Sequence, residues 1–463
     1  MKKLSAVLLS LAIIAAAASP AFAAAPQSSA AGDEFIPVIR FIAASDTHVK
    51  ESDDTNLNRI DKMLSLGYET ARADPNYDSL DAVLIAGDLT NDGTKAEFDR
   101  FTAALNGGKS DETAFLGVVA KNHDGYEMKR SEMRGYYNSV TGNDADFHAV
   151  INGYHFIGLS ASESDVQHYD LKQLSWLDSQ LAEATKEDPT KPVFIMHHEH
   201  VMGTVYGSSL YDGWGVPYFT GILNKYPQAV DFSGHSHYPL NDPRSLWQGR
   251  FTAIGTGAIY YSEFTVEGIR TYHPEDSDAT ATCWIVEVDA ANRIHLRGMD
   301  VEAGKQICEY ILDNPADPAN REYTPAKRRA ASKAPVFDDG AAVTVKPTEN
   351  GCEVTVPLAK SADGMPVVLY RAYAANSLGV REGKGWKMPS YYRATDQSEI
   401  TLDIGGLAPG EYTVSVVAVN AYGGESEPIS AKVTVGGKSG FDFIFYKIGF
   451  VFDNIVYFIK EIF

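Results

Sequence analysis

The hydrophobic positions of this chain follow two regimes. From residue 38 to about residue 260, short apolar runs each end in a polar cluster: "VIRFIAASDTH", "DAVLIAGDLTNDG", "AFLGVVAKNHD", "YHFIGLSAS", "KPVFIMHHEH", "AVDFSGHSH" and "FTAIGTGA". Uninterrupted apolar runs of this length predict strands buried on both faces. Helical spacing lies between them. It is plainest in "DLKQLSWLDSQLAEATKE", where Leu171, Leu174, Leu177 and Leu181 recur at intervals of three and four. Strands alternating with helices predict an α/β layered domain, with ligands at the carboxyl ends of the strands, where every polar cluster falls.

Beyond about Val336 the pattern becomes alternating, in "AAVTVKP", "CEVTVPL", "PVVLYRAYA", "EITLDI", "EYTVSVVAVNAY" and "SAKVTV". With turn signals between the runs, this predicts a small β-sandwich. The Pro-, Ala- and charge-rich stretch 313–335 reads as a linker. The last stretch, "FDFIFYKIGFVFDNIVYFIKEIF", is different again. On a helix, Asp442, Gly449, Asp453 and Lys460 share one line and the rest is a broad arc of Phe, Ile, Val and Tyr. A central Asp453 costs about 2.5–3.5 kcal/mol in a membrane span, so an amphipathic helix at an interface, or one docked on protein, fits better. The tail lacks a basic excess for anionic lipid.

At the other end, Lys2 and Lys3 precede the apolar "LSAVLLSLAIIAAAA", and Ala21-Phe22-Ala23 offers a small-x-small cleavage site. This reads as an export signal over 1–23, followed by a disordered 24–35. The expected order is then a catalytic-type domain over 36–312, the linker 313–335, the sandwich 336–436 and the tail 437–463.

Composition narrows the function classes. The chain has 463 residues with 40 Lys plus Arg and 61 Asp plus Glu, a formal charge of −21. A sequence-independent nucleic-acid binder needs a basic surface, so no nucleic-acid-binding face is expected. An anionic substrate would need local positive charge, which bound metal ions supply. Three cysteines, Cys283, Cys308 and Cys352, make no disulfide framework, and a single Cys283–Cys308 bridge is left open.

The chemistry lies in a set of clusters taken in order. These are "DTH" at Asp46–His48, "GD" at Gly87–Asp88, "NHD" at Asn122–Asp124, "MHH" at Met196–His198 and "GHSH" at Gly234–His237. Each follows a predicted buried strand. Carboxylate, amide and imidazole ligands together suit zinc, iron, manganese, cobalt or nickel rather than calcium.

Five ordered blocks of this kind resemble the calcineurin-like metallophosphoesterases, the superfamily that includes purple acid phosphatases and cyclic-nucleotide phosphodiesterases. The resemblance covers about residues 36–300. It implies a four-layer αββα sandwich with two divalent or mixed-valence metal ions, such as manganese, zinc or iron, and hydrolysis of a phosphate mono- or diester by water activated between them. Carried over by position, Asp46, His48 and His237 would hold one metal. Asn122, His197 and His235 would hold the other, and Asp88 would bridge. His123 would face the substrate as a catalytic residue, stabilising the developing charge or protonating the leaving oxygen, with Asp124 to orient it, and His198 would sit behind the ligands. His148, His155, His168, His273 and His295 read as ordinary structural histidines.

Two positions depart from the pattern. Asn91 stands where purple acid phosphatases carry a tyrosine, so a purple iron centre is not expected. Lys121 stands where the family has glycine; it is expected to point to solvent or a nearby carboxylate, with contact to the substrate phosphate as the alternative. Tyr206, Tyr211, Trp214 and Tyr218 lie in the stretch between the fifth and sixth strands that is expected to shape the pocket; a core or lid role is expected for them, with stacking on a base or an aromatic leaving group as the alternative. "LAPGEYTVSVVAVNAYGGES" resembles the closing half of a fibronectin type III module, on Leu407, Pro409, Gly410 and Tyr412. The aromatics of "GWKMPSYYR" suit either strand packing or contact with glycan or protein. The rival reading is a surface protein, attached by its tail, whose sandwich and tail bind a partner beside an inactive metal domain. Oligomeric state is not legible.

Overall fold

A computed structural model describes residues 34–164 and 167–448. The proposed export signal and the second half of the tail lie outside the described residues. In chain order the first domain contains β1 (Pro37–Ala44), α1 (Thr55–Ala73), β2 (Ala82–Ala86), α2 (Lys95–Gly108), β3 (Ala114–Val118) and α3 (Arg130–Thr141). Then come β4 (Phe147–Ile151), β5 (Tyr154–Gly158), α4 (Leu171–Glu187), β6 (Val193–Met196), β7 (His200–Val201), β8 (Gly215–Val216), α5 (Thr220–Leu223) and β9 (Ala229–Ser233). It closes with β10 (Leu246–Gln248), β11 (Thr252–Gly255), the hairpin β12 (Phe264–Val266) and β13 (Ile269–Tyr272), and β14 (Thr282–Asp289), β15 (Ile294–Asp300) and β16 (Lys305–Leu312).

Two six-stranded sheets face each other, in the orders β16-β15-β14-β1-β2-β3 and β10-β11-β9-β6-β5-β4. The apolar runs are buried on both faces, and each face has its own core. Phe41, Leu84, Trp284, Phe156, Phe194 and Phe232 fill the space between the sheets. Ile42, Val83 and Ile85 pack outward on Ile60, Phe98, Phe101 and Tyr137 of α1, α2 and α3. On the far side, Ile157, Val193 and Ile195 pack on Leu177 and Leu181 of α4 and on Phe219. The result is four layers, α-β-β-α. Among the four leucines expected to face the core, Leu171 is exposed, because it is the first residue of α4 and lies beyond the sheet. Asp170 caps that helix by accepting from the Lys172 and Gln173 amides. The strand reading stopped near residue 260, and the antiparallel β14, β15 and β16 extend the first sheet beyond it.

Arg40, fully buried on β1, is tied across this sheet. Its Nε donates to Glu287 Oε1 at 2.7 Å, and Arg297 Nε donates to the other oxygen at 3.0 Å. Burial opposes ionisation of Glu287, but His295, Arg297 and Arg40 outweigh it and hold the carboxyl down at about 2, against an ordinary 4.5. A depressed carboxylate stabilises the fold above its unfolded value and loses that contribution as pH falls toward the folded one. Glu287→Gln should therefore cost about 3 kcal/mol at pH 7, the cost of breaking a buried pair. The difference from the unsubstituted chain should shrink as pH falls from 4.5 toward about 2. Denaturant titrations at several pH values check it.

Within the stretch 313–335, Arg321 and Arg328 pin the chain to the first domain, while Ser332 and Lys333 already bond to Asn420 of the second. Thr324 caps α6 (Pro325–Ala331). Arg328 donates to the Leu246 carbonyl at 2.9 Å and lies over the rings of Tyr310 and Tyr323. Arg321 donates to the Pro227 and Arg250 carbonyls.

The second domain contains β17 (Thr344–Thr348), β18 (Gly351–Pro357), β19 (Val367–Asn376), β20 (Arg381–Lys387), β21 (Glu399–Gly405), β22 (Gly410–Asn420) and β23 (Ile429–Val435). Its sheets, β17-β18-β21 and β20-β19-β22-β23, form a sandwich. Val414, Val416 and Ala418 point into the core, as alternation requires. The Tyr412 hydroxyl donates to the Ala408 carbonyl at 3.0 Å, closing a tyrosine corner. All three cysteines are free. Residues 440–448 are helical, with Phe441, Ile444, Phe445 and Ile448 exposed. No described helix is long and apolar enough to cross a membrane.

Candidate metal centre

The site is assembled from the loops that leave the carboxyl ends of β1, β2, β3, β6 and β9. The first two run side by side: the Asp46 amide donates to the Gly87 carbonyl and the His48 amide to the Asp88 carbonyl, both at 3.0 Å. Nine described non-glycine residues adopt positive φ, and five of them are Asp46, His48, Asp88, His235 and His237. Backbone held in a sparsely populated region persists where surrounding structure enforces it, typically at functional sites. Two glycines are required by close approach. A Cβ on Gly87 would lie 2.7 Å from His198 Nδ1, and one on Gly234 would lie 2.4 Å from Asp46 Oδ2.

The side chains converge in two groups; Asp88 belongs to the second and also lies 3.8 Å from His48 Nε2 of the first. In the first, His48 Nε2 lies 3.2 Å from His237 Nε2, and His237 Nε2 lies 3.2 Å from Asp46 Oδ1. In the second, His198 Nε2 lies 3.1 Å from Asp88 Oδ2 and 3.1 Å from His235 Nδ1. Asn122 Nδ2 donates to Asp88 Oδ2 at 2.9 Å. The donor atoms of Asp46, His48 and His237, and those of Asp88, His198 and His235, lie within 4.8 Å of one another, as do those of His48, Asp88 and His123.

The donor set fits cations. Asp46 Oδ2 accepts from the Ser45 hydroxyl and the His235 amide, while the buried Oδ1 has no hydrogen-bond partner; Asp88 Oδ1 is likewise buried without one. Buried carboxylate oxygens left bare are costly unless a cation satisfies them. His198 Nδ1 is committed to the Ala86 carbonyl at 2.8 Å, so Nε2 presents its lone pair to the cluster. The electrostatics divide the histidines: burial opposes charge on His198 and His237, but Asp88 raises the first well above its ordinary value and Asp46 raises the second. Burial raises Asp46, but His237, His48 and His198 hold it well below the usual range. Burial lowers His48 and His235 to about 4, which keeps both rings neutral as ligands require.

Two expectations are corrected. His197, expected as a ligand, points away from the centre. Its ring stacks on Phe219 at 4.0 Å, and Nε2 lies 2.8 Å from Asp231 Oδ1. The reason is strand parity. Val193 and Ile195 face the helices, Phe194 and Met196 face the other sheet, and continuing the alternation sends His197 outward and His198 inward. Asp124, expected to orient His123, instead accepts from the Thr90 amide at 2.9 Å, the Thr90 hydroxyl at 2.8 Å and the Ala120 amide at 2.8 Å. It ties the loops after β2 and β3 together, and burial, helped by Asp88, pushes it up to about 7. The carbonyl of Asn91 holds His123 instead, at 2.7 Å from Nδ1. His123 also packs against His48 and Tyr126.

The neighbours sort by contact. Lys121 needs no left-handed backbone. Its ammonium donates to His168 Nε2 at 2.9 Å, and His168 Nδ1 meets buried Glu199 at 2.8 Å. The lysine thus reaches a carboxylate at one remove, and His168 is more than an isolated structural histidine. Of the four aromatics, Trp214 meets a ligand, edge-on to His235 at 5.0 Å. Tyr206 packs on Tyr238, Tyr211 is exposed, and Tyr218 lies near His168. Sequence reading missed Tyr260 and Tyr261, whose rings pack on His48 and His237. They follow a Gly-x-Gly turn after β11, and that position at a strand's carboxyl end was the available signal.

Residues 39–239 match the family model described as calcineurin-like phosphoesterase. This stretch is similar to the calcineurin-like phosphoesterases. Every phosphoesterase cluster named above falls inside it, while Tyr260, Tyr261 and the hairpin β12–β13 lie beyond its end. No curated protein matches the chain. Among solved structures, a purple acid phosphatase from yellow lupin (Lupinus luteus) seeds is similar at 14% identity over 59% of this chain and 53% of its own, with a TM-score of 0.40. This chain therefore spans about half of the lupin chain. A human fibronectin type III domain is similar at 19% identity over 24% of this chain and 93% of its own, with a TM-score of 0.15. Both likenesses are slight, and the phosphoesterase assignment stands on the family match.

Proposed function

We propose that the protein is an exported, metal-dependent phosphoesterase that hydrolyses a phosphate mono- or diester at a two-metal centre. The observation that carries this reading is the pair of adjoining ligand groups, Asp46 with His48 and His237, and Asp88 with His198 and His235, joined by the approach of Asp88 to His48. Asp46, His48, Asp88 and His237 would hold one cation, and Asp88, Asn122, His198 and His235 the other. Such cations clamp a phosphoryl group and make water a nucleophile near neutral pH. The protein's own part is to position and to move a proton. His123 has Nδ1 committed to the Asn91 carbonyl, so the ring, when it carries both protons, would donate the one on Nε2 to the departing oxygen. Asp124 keeps the loop carrying Asn122 and His123 against the loop carrying Asp88.

The test is hydrolysis of a chromogenic diester and its matching monoester by metal-stripped protein with manganese, zinc, iron or cobalt restored. Metal-dependent turnover is expected, reduced by about 10²–10⁴-fold in His123→Ala, the range for a lost general acid. No turnover and no bound metal would move the function to the sandwich and tail. Intact, convergent ligands weigh against that rival.

Supporting a fibronectin type III-like module are the two-sheet sandwich and the Tyr412 corner. Peripheral attachment through residues 441–463 is supported by the apolar side chains exposed at 441–448. Unchanged membrane partition after deletion of 437–463 would sink it.

A further inference from the structure

Between the sandwich and the metal centre lies the hairpin β12–β13. A lone two-stranded hairpin is marginal in water. This one is backed by the sandwich: Phe264 and Val266 share a buried cluster with Leu369, Met388, Tyr392, Val417 and Val419. The Phe264 and Tyr392 rings lie 4.9 Å apart, and those of Tyr272 and Trp386 5.1 Å. Val417 and Val419 sit at outward positions of β22, where an isolated sandwich would carry polar residues.

The hairpin turn is also gripped. Glu267 and Gly268 both have positive φ, 50° and 86°. The first of these positions favours Asn, Asp or Gly, and a glutamate there is strained. Arg371 of β19 holds that glutamate with a 2.7 Å ion pair. Just past the hairpin, Asp276 accepts from the Tyr392 hydroxyl and from the Ser390 hydroxyl at 2.8 Å.

The other side of the same hairpin holds the metal-binding loops. The Glu263 amide, immediately before β12, donates to the carbonyl of His237 at 3.2 Å. Tyr238, next to that ligand, shares a 2.5 Å hydrogen bond with Thr265. Arg270 donates to the Asp212 carbonyl at 2.9 Å, and two residues on, Trp214 abuts His235. The Tyr206 hydroxyl donates to the Thr265 carbonyl at 2.8 Å. Both histidines of the "GHSH" block thus lean on structure that the hairpin supports.

We propose that the C-terminal sandwich is a working part of the metal centre: through the β12–β13 hairpin it holds the loops carrying His235, His237 and Trp214 in place, with Arg371 and Tyr392 as positioning residues. This rests on the metal-centre reading above. It assigns the sandwich a partner within its own chain, and the aromatics of "GWKMPSYYR" are used in that contact rather than for glycan.

The test uses the full chain carrying Arg371→Ala and Tyr392→Phe together, with Lys432→Ala on the exposed face of β23 as control. Amide hydrogen exchange over 203–218 and 256–276 should rise about tenfold or more, while β1, β2 and β3 stay unchanged. Manganese affinity should fall by about 10–100-fold, the range for partners that orient metal ligands. Should the double variant unfold, Glu267→Gln removes only the charge of the ion pair and should move the same readouts in the same direction. Unchanged exchange, or faster exchange with unchanged manganese affinity, overturns the proposal. If the unsubstituted protein binds none of manganese, zinc, iron or cobalt, the metal-centre reading falls and the proposal with it; if it binds one of the others instead, that metal takes manganese's place in the comparison. Neither readout depends on turnover, so an unsuitable assay substrate cannot imitate failure.

Discussion

Asp88→Asn is expected to remove one bound metal equivalent and to lower turnover by a thousandfold or more. The residue lies between the two ligand groups, 3.8 Å from His48 Nε2 of one and 3.1 Å from His198 Nε2 of the other. Two unit charges 4 Å apart repel by about 4 kcal/mol at an effective dielectric of 20, so two dications at that spacing repel by about 16 kcal/mol. A carboxylate between them offsets much of this, and a neutral amide offsets little. Losing even about 4 kcal/mol corresponds to roughly a thousandfold. Asparagine matches the shape of aspartate, so the fold should survive, and the comparison isolates the charge. Metal stoichiometry by elemental analysis and kcat on the chromogenic substrates check both halves. Full metal content in the variant would deny Asp88 its bridging role.

The second large effect separates two adjacent histidines. His198→Ala should cost more than about a hundredfold in affinity for one metal, beyond the 10–100-fold typical of outer partners. His197→Ala should bind both metals with little change. It should instead destabilise the fold by about 3–5 kcal/mol, because a fully buried ring stacked on Phe219 is removed and Asp231 loses the group beside it. Metal titration and denaturant unfolding of the two variants give opposite patterns. The reverse pattern would return the ligand role to His197.

These expectations show where the sequence was informative. Apolar runs ending in polar clusters placed seven strands of the first domain, because strands buried on both faces must be continuously apolar. Their order brought Asp46, His48, Asp88, Asn122, His235 and His237 to one end of two sheets. The alternation of β22 set Val414, Val416 and Ala418 inward, because the side-chain period of a strand is two. Strand parity could also have chosen His198 over His197, since Phe194 and Met196 already mark the inner face of β6. It was legible and was read one residue out of step.

Other features needed the tertiary structure. Asp124 follows His123 in the chain, yet its partners are Thr90 and Ala120, so chain adjacency did not predict contact. Asn91, noticed only for lacking a phenol, acts through its backbone carbonyl, which no side-chain pattern reports. Lys121 reaches His168 across 47 positions of sequence. The union of the two domains was hidden for the same reason. Val417 and Val419 announce a second buried face, but a strand pattern cannot name what covers it. The sequence by itself determined the strands, the inner faces and the inventory of ligands, because local periodicity and residue chemistry travel with the chain. Which histidine turns inward, what holds His123, and how the sandwich backs the hairpin were decided only by three-dimensional packing, where positions far apart in sequence compete for the same space.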